Sequence, residues 1–372
     1  MEKFEIIITT LFGLESLVAR EVRRLGYETT AVEDGRVTFM GDNEAVCRAN
    51  MWIRTGERVL IKTAEFTAVT FDELFEKTKA VDWSKWIGKN DAFPVKGYSL
   101  KSTLASVRDC QAIIKKATAE SLSYKYGIEW LPEDGINYQI QFSIFKDKVT
   151  LMIDTSGEGL HKRGYRQHSN VAPLKETLAA AMVDLSRVRA NHFVTDPMCG
   201  SGTILIEAAM KALNIAPGLN RYFACEHWNC VPKDVFETAR ENARQKIRHD
   251  ATFRATGYDI DDSALAIAKK NAEIAGVADR ITFANRDIKN FELEDGFQTI
   301  ITNPPYGERL LDVKSAEKLY AVMGEHFKRM KGKSYTVISP DDDFEKIFGR
   351  KADKRRKLYN GTLKCELYMY FK

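Results

Sequence analysis

Apolar and polar residues along the chain follow two periods, one of about two residues and one of about three and a half, and they change partners near the middle. Short apolar runs bounded by polar residues predict strands over 4–9, 35–39, 59–66 and 94–100. Amphipathic stretches over 13–25, 42–52, 70–80 and 106–124 predict helices between them. A strand pair over 138–145 and 148–154, turning at Lys146-Asp147, completes an α+β region. Gly157, Gly159 and Gly164 punctuate "SGEGLHKRGYR", the best candidate for a linker.

Past that stretch a helix is expected over 172–189, and strands alternate with helix-length connections. The strands fall at 193–196, 254–259, 280–284, 299–302 and 334–339. Connections of that length between successive strands imply a parallel, doubly wound α/β sheet. Asn360-Gly361 between two alternating segments predicts a terminal hairpin, so an antiparallel pair should close the edge of the sheet. No internal repeat or low-complexity tract interrupts the pattern.

Composition narrows the class without choosing it. The 372 residues are 44% apolar and 29% charged, which is ordinary for a globular protein of two or three domains. No apolar run approaches the length of a membrane span, and the start of the chain lacks the charge and apolar pattern of a secretory leader. The six cysteines, with neither a CxxC pair nor regular spacing, suit free thiols in a reducing, cytoplasmic setting. The six histidines form no ligand-spaced cluster and no G-x-S-x-G elbow is present, so neither a metal site nor a serine hydrolase is expected. Net charge is only +4, with −1 over residues 1–165 and +5 over the rest, so any nucleic-acid footprint must be a local patch.

Four strand ends carry the candidate chemistry. "TDPMCGSGTILIEAAMKA" (195–212) is a strand end, a glycine turn and a helix start, with free N–H groups and backbone that a ligand can approach. It matches neither phosphate-binding glycine fingerprint, and taken alone it would pass for a tight βα turn. Asp259 ends the next strand, where a carboxylate can accept both hydroxyls of a ribose, although N-capping duty is shared locally with Asp261, Asp262 and Ser263. Asp287 follows the third strand, placed for an adenine amino group or for an ordinary loop. A glycine turn, a ribose carboxylate and an adenine contact in that order, with no pyrophosphate cradle, fit S-adenosylmethionine.

The fourth strand end carries "TNPPYGERL" (302–310). An exocyclic amine on a base is a poor nucleophile while its lone pair is delocalised into the ring. Two acceptors gripping its N–H groups would localise that pair. Asn303 offers a side-chain carbonyl, and the backbone of Asn303 or Pro304 offers another. Pro304 and Pro305 stiffen the corner and add no donor, and Tyr306 can stack on an extruded base. All four strand ends should lie in one crevice at the carboxyl edge of the sheet.

These residues resemble a known family. "DPMCGSGTILIEAA" with "NPPYGERL" is similar to the THUMP-containing RNA guanine-N2 methyltransferases, in particular the N-terminal half of the bifunctional bacterial 23S rRNA enzymes of RlmL (RlmKL) type. "SVRDCQAIIKKA", "DTSGEGLHKRGYR", "APLKETLAAAMV", "FACEHWN" and "ADKRRKLYNG" extend the likeness over nearly the whole chain. The resemblance implies a ferredoxin-like segment over 1–65, a THUMP RNA-binding domain over 66–156, a linker over 157–171 and a Rossmann-like methyltransferase domain over 172–372. It implies N2-methylation of a guanine in 23S rRNA, free or in a pre-ribosomal particle, and a single methyltransferase activity.

Carried over by position, Asp196, Pro197, Cys199, Gly200, Ser201, Gly202 and Thr203 would line the methionine end of the cofactor. Asp259 would hold its ribose, Asp287 its adenine, and Asn303, Pro304, Pro305 and Tyr306 the target base. The helix bearing Leu174, Lys175, Glu176 and Thr177 would cover the pocket, with Thr177 as a cofactor contact. Lys101, Arg108, Lys115, Lys116, Arg163 and Arg166 are the candidate RNA contacts, each of them equally readable as a solvated charge. A tRNA guanine methyltransferase, a DNA adenine-N6 methyltransferase and a non-catalytic RNA-binding assembly factor remain alternatives, and the oligomeric state stays open.

Overall fold

The computed structural model describes residues 3–166, 174–306, 313–327 and 330–371. Ala172, Pro173 and Gly307 to Leu310, which belong to two of the motifs above, lie outside the described residues. The first half contains β1 (Phe4–Thr10), α1 (Glu15–Arg24), β2 (Thr29–Glu33), β3 (Arg36–Gly41), α2 (Asn43–Trp52), β4 (Gly56–Thr67), α3 (Phe71–Lys79), β5 (Val95–Leu100), α4 (Val107–Tyr126), β6 (Ile140–Phe145) and β7 (Lys148–Asp154). Its strands form one seven-stranded sheet in the order β2-β3-β1-β4-β7-β6-β5. The twelve-residue β4 pairs with β1 on one side and β7 on the other, so the sheet is continuous across residue 65.

Local chemistry explains the boundaries. Thr70 and Ser106 cap α3 and α4 through their hydroxyls, which accept from the amides of Glu73 and Asp109. The β6–β7 turn uses Lys146 and Asp147, both in the left-handed region (φ 52° and 64°), as a two-residue hairpin of this hand requires. β2 was not expected: its burial alternates weakly and it pairs with β3 through a register shift, so it has little apolar periodicity to read.

The second half contains α5 (Glu176–Leu185), β8 (Phe193–Asp196), α6 (Thr203–Ala212), α7 (Asp234–Gln245), β9 (Arg254–Asp259), α8 (Asp262–Ile274), β10 (Ile281–Asn285), β11 (Gln298–Thr302), α9 (Val313–His326), β12 (Lys333–Ser339), α10 (Phe344–Phe348), β13 (Lys354–Asn360) and β14 (Leu363–Tyr370). The strand order is β10-β9-β8-β11-β12-β14-β13; β10 to β12 are parallel, and the last two strands are antiparallel. This is the α/β arrangement expected from the alternation of elements. α5 is shorter than its apolar pattern because Arg187 adopts a left-handed φ of 58°, which a helix cannot continue through. The terminal loop is Gly361-Thr362, one residue beyond the Asn-Gly pair, and Asn360 pairs with Leu363 inside the ladder.

The glycine-rich stretch between the halves is packed where it is described. Arg221, only 9% exposed, donates to four carbonyls of that stretch: Ser156 (3.2 Å), Glu158 (2.7 Å), Gly159 (2.7 Å) and Lys162 (2.9 Å). Asn50 of α2 donates to the Thr155 hydroxyl at 2.8 Å and accepts from the Ser156 hydroxyl at 2.7 Å. One apolar core runs from β1 and α1 through β8 and α6, so the two sheets are joined without a break. Arg221→Met should remove four hydrogen bonds, two of them buried and two partly buried, and strand their carbonyls, costing roughly 2–4 kcal/mol. A urea midpoint equal to that of the parent protein would show that the stretch holds itself.

Candidate active site

The strand order reverses at β8: the chain proceeds outward through β9 and β10, then returns to lay β11 on the other side. A parallel sheet opens a crevice at that switch point, beyond its carboxyl ends. Asp196 ends β8 and Asn303 follows β11, so the two flank the opening. A cavity of about 720 Å³ lies there, lined among others by Asp196, Pro197, Cys199, Gly200, Ser201, Thr203, Asp259, Asp287, Asn303 and Pro305. Eight of the ten positions expected to meet the cofactor therefore share one cavity.

The loop after β8 is held by its neighbour. The Cys199 amide donates to the Tyr258 carbonyl at 2.8 Å, and the Gly200 amide to the Asp259 carboxylate at 2.8 Å. The other Asp259 oxygen accepts from the Asp261 amide at 3.0 Å, which leaves acceptor capacity on both oxygens. Asn271 of α8 secures the loop from behind by donating to the Ser201 carbonyl at 3.1 Å. Asp287 caps the turn after β10, accepting from the Lys289 amide at 2.9 Å.

Gly200, at φ 51°, has open space where a side chain would stand. Gly202 differs. Its φ is 79°, but an added Cβ would sit 3.1 Å from that of Ala268 and 3.2 Å from the Phe283 ring. Gly202 therefore faces α8 and β10, and it admits close packing rather than a ligand. Thr177 is also absent from the cavity: it is fully buried, and its hydroxyl donates to Glu57 of β4 at 2.5 Å. The cavity wall contributed by that part of the chain is Leu174.

Burial shapes the titrating groups. It lifts the Asp196 carboxyl from its ordinary 3.8 to about 7, helped by Asp259 and opposed by the Thr302 hydroxyl and the Met198 amide. The Cys199 thiol is pushed well above its ordinary range by burial and then by Asp196 and Asp259, so it is a neutral wall and no nucleophile. Among the described residues, the side-chain oxygen of Asn303 is buried and has no hydrogen-bond partner. A buried acceptor left open costs free energy, and such orphans concentrate where a ligand supplies the partner.

Pro304 is buried and Pro305 lines the cavity, but Tyr306 points elsewhere. Its hydroxyl accepts from the Asn360 side chain at 2.9 Å and its ring packs on the core, so the terminal hairpin holds it. Tyr306 is a brace for the corner, not the free stacking platform expected from the sequence. Asn360 was read only as a turn residue, because its partner lies 54 positions away.

The expected RNA contacts divide. Lys101, Arg108 and Lys116 are exposed. Arg163 is 3% exposed and donates to the Leu160 and Arg54 carbonyls, with Glu207 at 3.4 Å, so it is an internal strut. Arg166 donates to the Leu174 carbonyl at 2.8 Å and the Thr203 hydroxyl at 2.6 Å, beside Glu176 at 3.5 Å. Lys115 bonds Glu133 at 2.5 Å and lies 3.5 Å over the Phe93 ring. These three serve packing, and a charge on a linker or helix does not announce which way it turns. Sequence reading also missed Arg286 and the α9 wall of Lys318, Leu319 and Val322, which carry no motif.

The comparisons agree with this architecture. Residues 163–369 match the RMKL-like methyltransferase domain, 5–60 the RlmL ferredoxin-like domain and 68–154 the THUMP domain. The chain belongs to this S-adenosylmethionine-dependent methyltransferase family. YpsC of Bacillus subtilis (strain 168), which carries an RNA methyltransferase name, is 47% identical over all of this chain and 97% of its own. The ribosomal RNA large subunit methyltransferase K/L of Psychromonas ingrahamii (strain DSM 17664 / CCUG 51855 / 37) is 33% identical over 98% of this chain and 49% of its own, so the chain spans about half of that relative. Among solved structures, SMU.472 complexed with SAH superposes with a TM-score of 0.93 at 41% identity, covering 100% of this chain and 98% of that one. A Listeria monocytogenes str. 4b F2365 protein that carries an N6-adenine-specific DNA methylase name gives 0.93 at 47%, covering 100% and 97%.

The Asp196 carboxyl makes the fold pH-sensitive with a definite sign. Its folded value lies above its unfolded one, so between about pH 4 and 7 the native state holds a proton that the unfolded chain has lost. Stability from this group falls as pH rises through that window and is flat above it. Asp196→Asn should remove the decline, seen as urea midpoints that change less with pH than those of the parent. Identical slopes would show that the carboxyl is ionised throughout.

Proposed function

We propose that this protein methylates the exocyclic N2 amine of a guanine in 23S rRNA, with S-adenosylmethionine as donor. The observation that carries the reading is the buried side-chain oxygen of Asn303 at the switch point of the sheet, which has no hydrogen-bond partner among the described residues. One N–H of an aromatic amine would donate to that oxygen and the other to a backbone carbonyl of the Asn303-Pro304 corner. The amine lone pair then leaves the ring conjugation and points into the cavity. Pro304 and Pro305 keep the corner rigid, and Tyr306, tied to Asn360, fixes it from the hairpin side.

The residues present suit an adenosyl cofactor. Asp259 retains free lone pairs for the two ribose hydroxyls, Asp287 can accept from the adenine amine, and Gly200 leaves open backbone beside them. Pro197, Cys199, Ser201 and Thr203 line the same cavity as Asn303. When bound, S-adenosylmethionine supplies a sulfonium-activated methyl group, so the protein needs to position and desolvate the amine rather than activate it through a metal. The THUMP and ferredoxin-like matches favour RNA over DNA, although the Asn-Pro-Pro-Tyr corner would accept adenine as well. The name of the K/L relative supports 23S rRNA over tRNA.

Asn303→Ala should lower turnover by about 10²–10³ while cofactor affinity stays within a few-fold. Retained turnover would remove the two-acceptor account. Asp259→Ala should weaken S-adenosylmethionine binding at least about ten-fold in calorimetry, a loss the ribose contacts require. Mass mapping of a deletion strain should show a 23S N2-methylguanosine missing. A mark lost from tRNA with rRNA intact would move the substrate to tRNA.

A further inference from the structure

A second cavity, of about 810 Å³, lies at the opposite edge of the methyltransferase sheet. Both halves of the chain wall it. The N-terminal half supplies Glu21 and Arg24 at the end of α1 and Arg54 just ahead of β4; the other half supplies the approaches to β8 (188–191) and β9 (250–252). β8 and β9 are parallel, so residues that lead into them mark the amino edge, and this cavity and the crevice sit at opposite ends of the same strands. α6 spans the two, with Thr203 and Ile204 on the crevice and Glu207 and Lys211 here. Methyl transfer makes no use of this second hollow.

Its charges do not cancel. Three of the four acids on the wall are engaged. Glu21 accepts from the Arg54 amide (3.2 Å), the Thr55 amide (3.2 Å) and the Thr55 hydroxyl (2.9 Å). Asp184 is shared by Lys211 at 2.7 Å and Arg20, and Glu207 by Arg163 at 3.4 Å and the Tyr165 hydroxyl at 3.2 Å. The fourth, Asp250, is exposed. Against these stand Arg24, Arg189 and Arg248, all exposed and without an ion pair among the described residues. Arg54 adds a fourth guanidinium. One of its nitrogens donates to the Ile215 carbonyl, and another is buried with no hydrogen-bond partner among the described residues. Four such groups around one hollow repel one another until an anion joins them. Guanidinium forks match phosphate oxygens, and the volume is that of a small-molecule site. A nucleic-acid backbone sets one phosphate per nucleotide along the outside of a strand, whereas consecutive phosphates place several charges within a single concavity. The second Glu207 oxygen, also buried without a partner among the described residues, suits a hydroxyl or a protonated phosphate oxygen of the same ligand.

We propose that this cavity binds a compact oligophosphate, inorganic or the phosphate tail of a nucleotide, through Arg24, Arg54, Arg189 and Arg248. The site stands apart from the methylation reading and holds whichever base is methylated. Calorimetry of the full-length protein with inorganic tripolyphosphate tests it. One saturable site per chain is expected, weakening as salt rises. Arg189→Ala with Arg248→Ala should weaken binding at least about ten-fold, and Asp250→Asn should tighten it roughly two- to five-fold by removing a like charge. S-adenosylhomocysteine affinity and the unfolding midpoint without ligand should not move in either variant.

ATP and GTP in place of tripolyphosphate separate the two sources. Tighter binding of either nucleotide assigns the site to a nucleotide, and equal or weaker binding assigns it to the phosphate chain alone. Absence of saturable tripolyphosphate binding overturns the proposal, as does unchanged affinity in the Arg189→Ala, Arg248→Ala double variant. Tighter binding of an oligouridylate with the same number of phosphates also overturns it, in favour of an RNA backbone.

Discussion

One carboxylate organises the crevice. Asp259, the last residue of β9, accepts the Gly200 amide from the neighbouring strand's loop and the Asp261 amide from its own. With the Cys199 to Tyr258 backbone bond, it fastens the loop after β8 across the top of the adjacent strand. Hydrogen bonds to a charged acceptor are worth about 1.5–3 kcal/mol each. That is enough to hold Gly200 in its left-handed conformation and to keep open the space in front of it. Parallel pairing of β11 with β8, with Ile300 beside Thr195, then brings Asn303 to the same edge of the sheet as Asp196, so the rest of the site follows from where those two strand ends are held.

The N-terminal half reaches the same crevice from behind. Glu57 of β4 accepts from Lys175 at 3.0 Å and from Thr177, gripping the start of α5. Arg166 then joins that region to the crevice, because it bonds both the Leu174 carbonyl and the Thr203 hydroxyl, and both residues line the cavity. On the other flank, Arg356 of β13 donates to the Gly13 carbonyl at 2.7 Å and the Ser16 hydroxyl at 2.8 Å. The two halves thus meet through directional bonds, most of them partly buried, as well as apolar packing. Such an interface transmits position, since each bond fails if either half shifts by an ångström or two.

Basic residues show how much a sequence leaves undecided. Arg163, Arg166 and Lys115 read as surface cations, yet their partners Glu207, Glu176 and Glu133 lie 44, 10 and 18 positions away. No local period reports such a pairing. Tyr306 is similar: it follows two prolines at a strand end, which suggests a free aromatic, and only the returning hairpin brings Asn360 to its hydroxyl. Gly202 and Gly200 are indistinguishable as letters, and the neighbours of each assign one to packing and the other to the cavity.

Strands, helices and the order of chemistry along them were legible because they depend on nearest neighbours: side-chain periodicity, caps, and groups placed at strand ends. That is why Asp196, Asp259, Asp287 and Asn303 could be named in order and assigned to one edge. Which side chains look into the crevice was decided only by tertiary structure. The switch point between β8 and β11, the α9 wall and the inward turn of the arginines all come from strand order and long-range pairing. The chain specifies these through many weak contacts summed over the core, and no single stretch of it carries them.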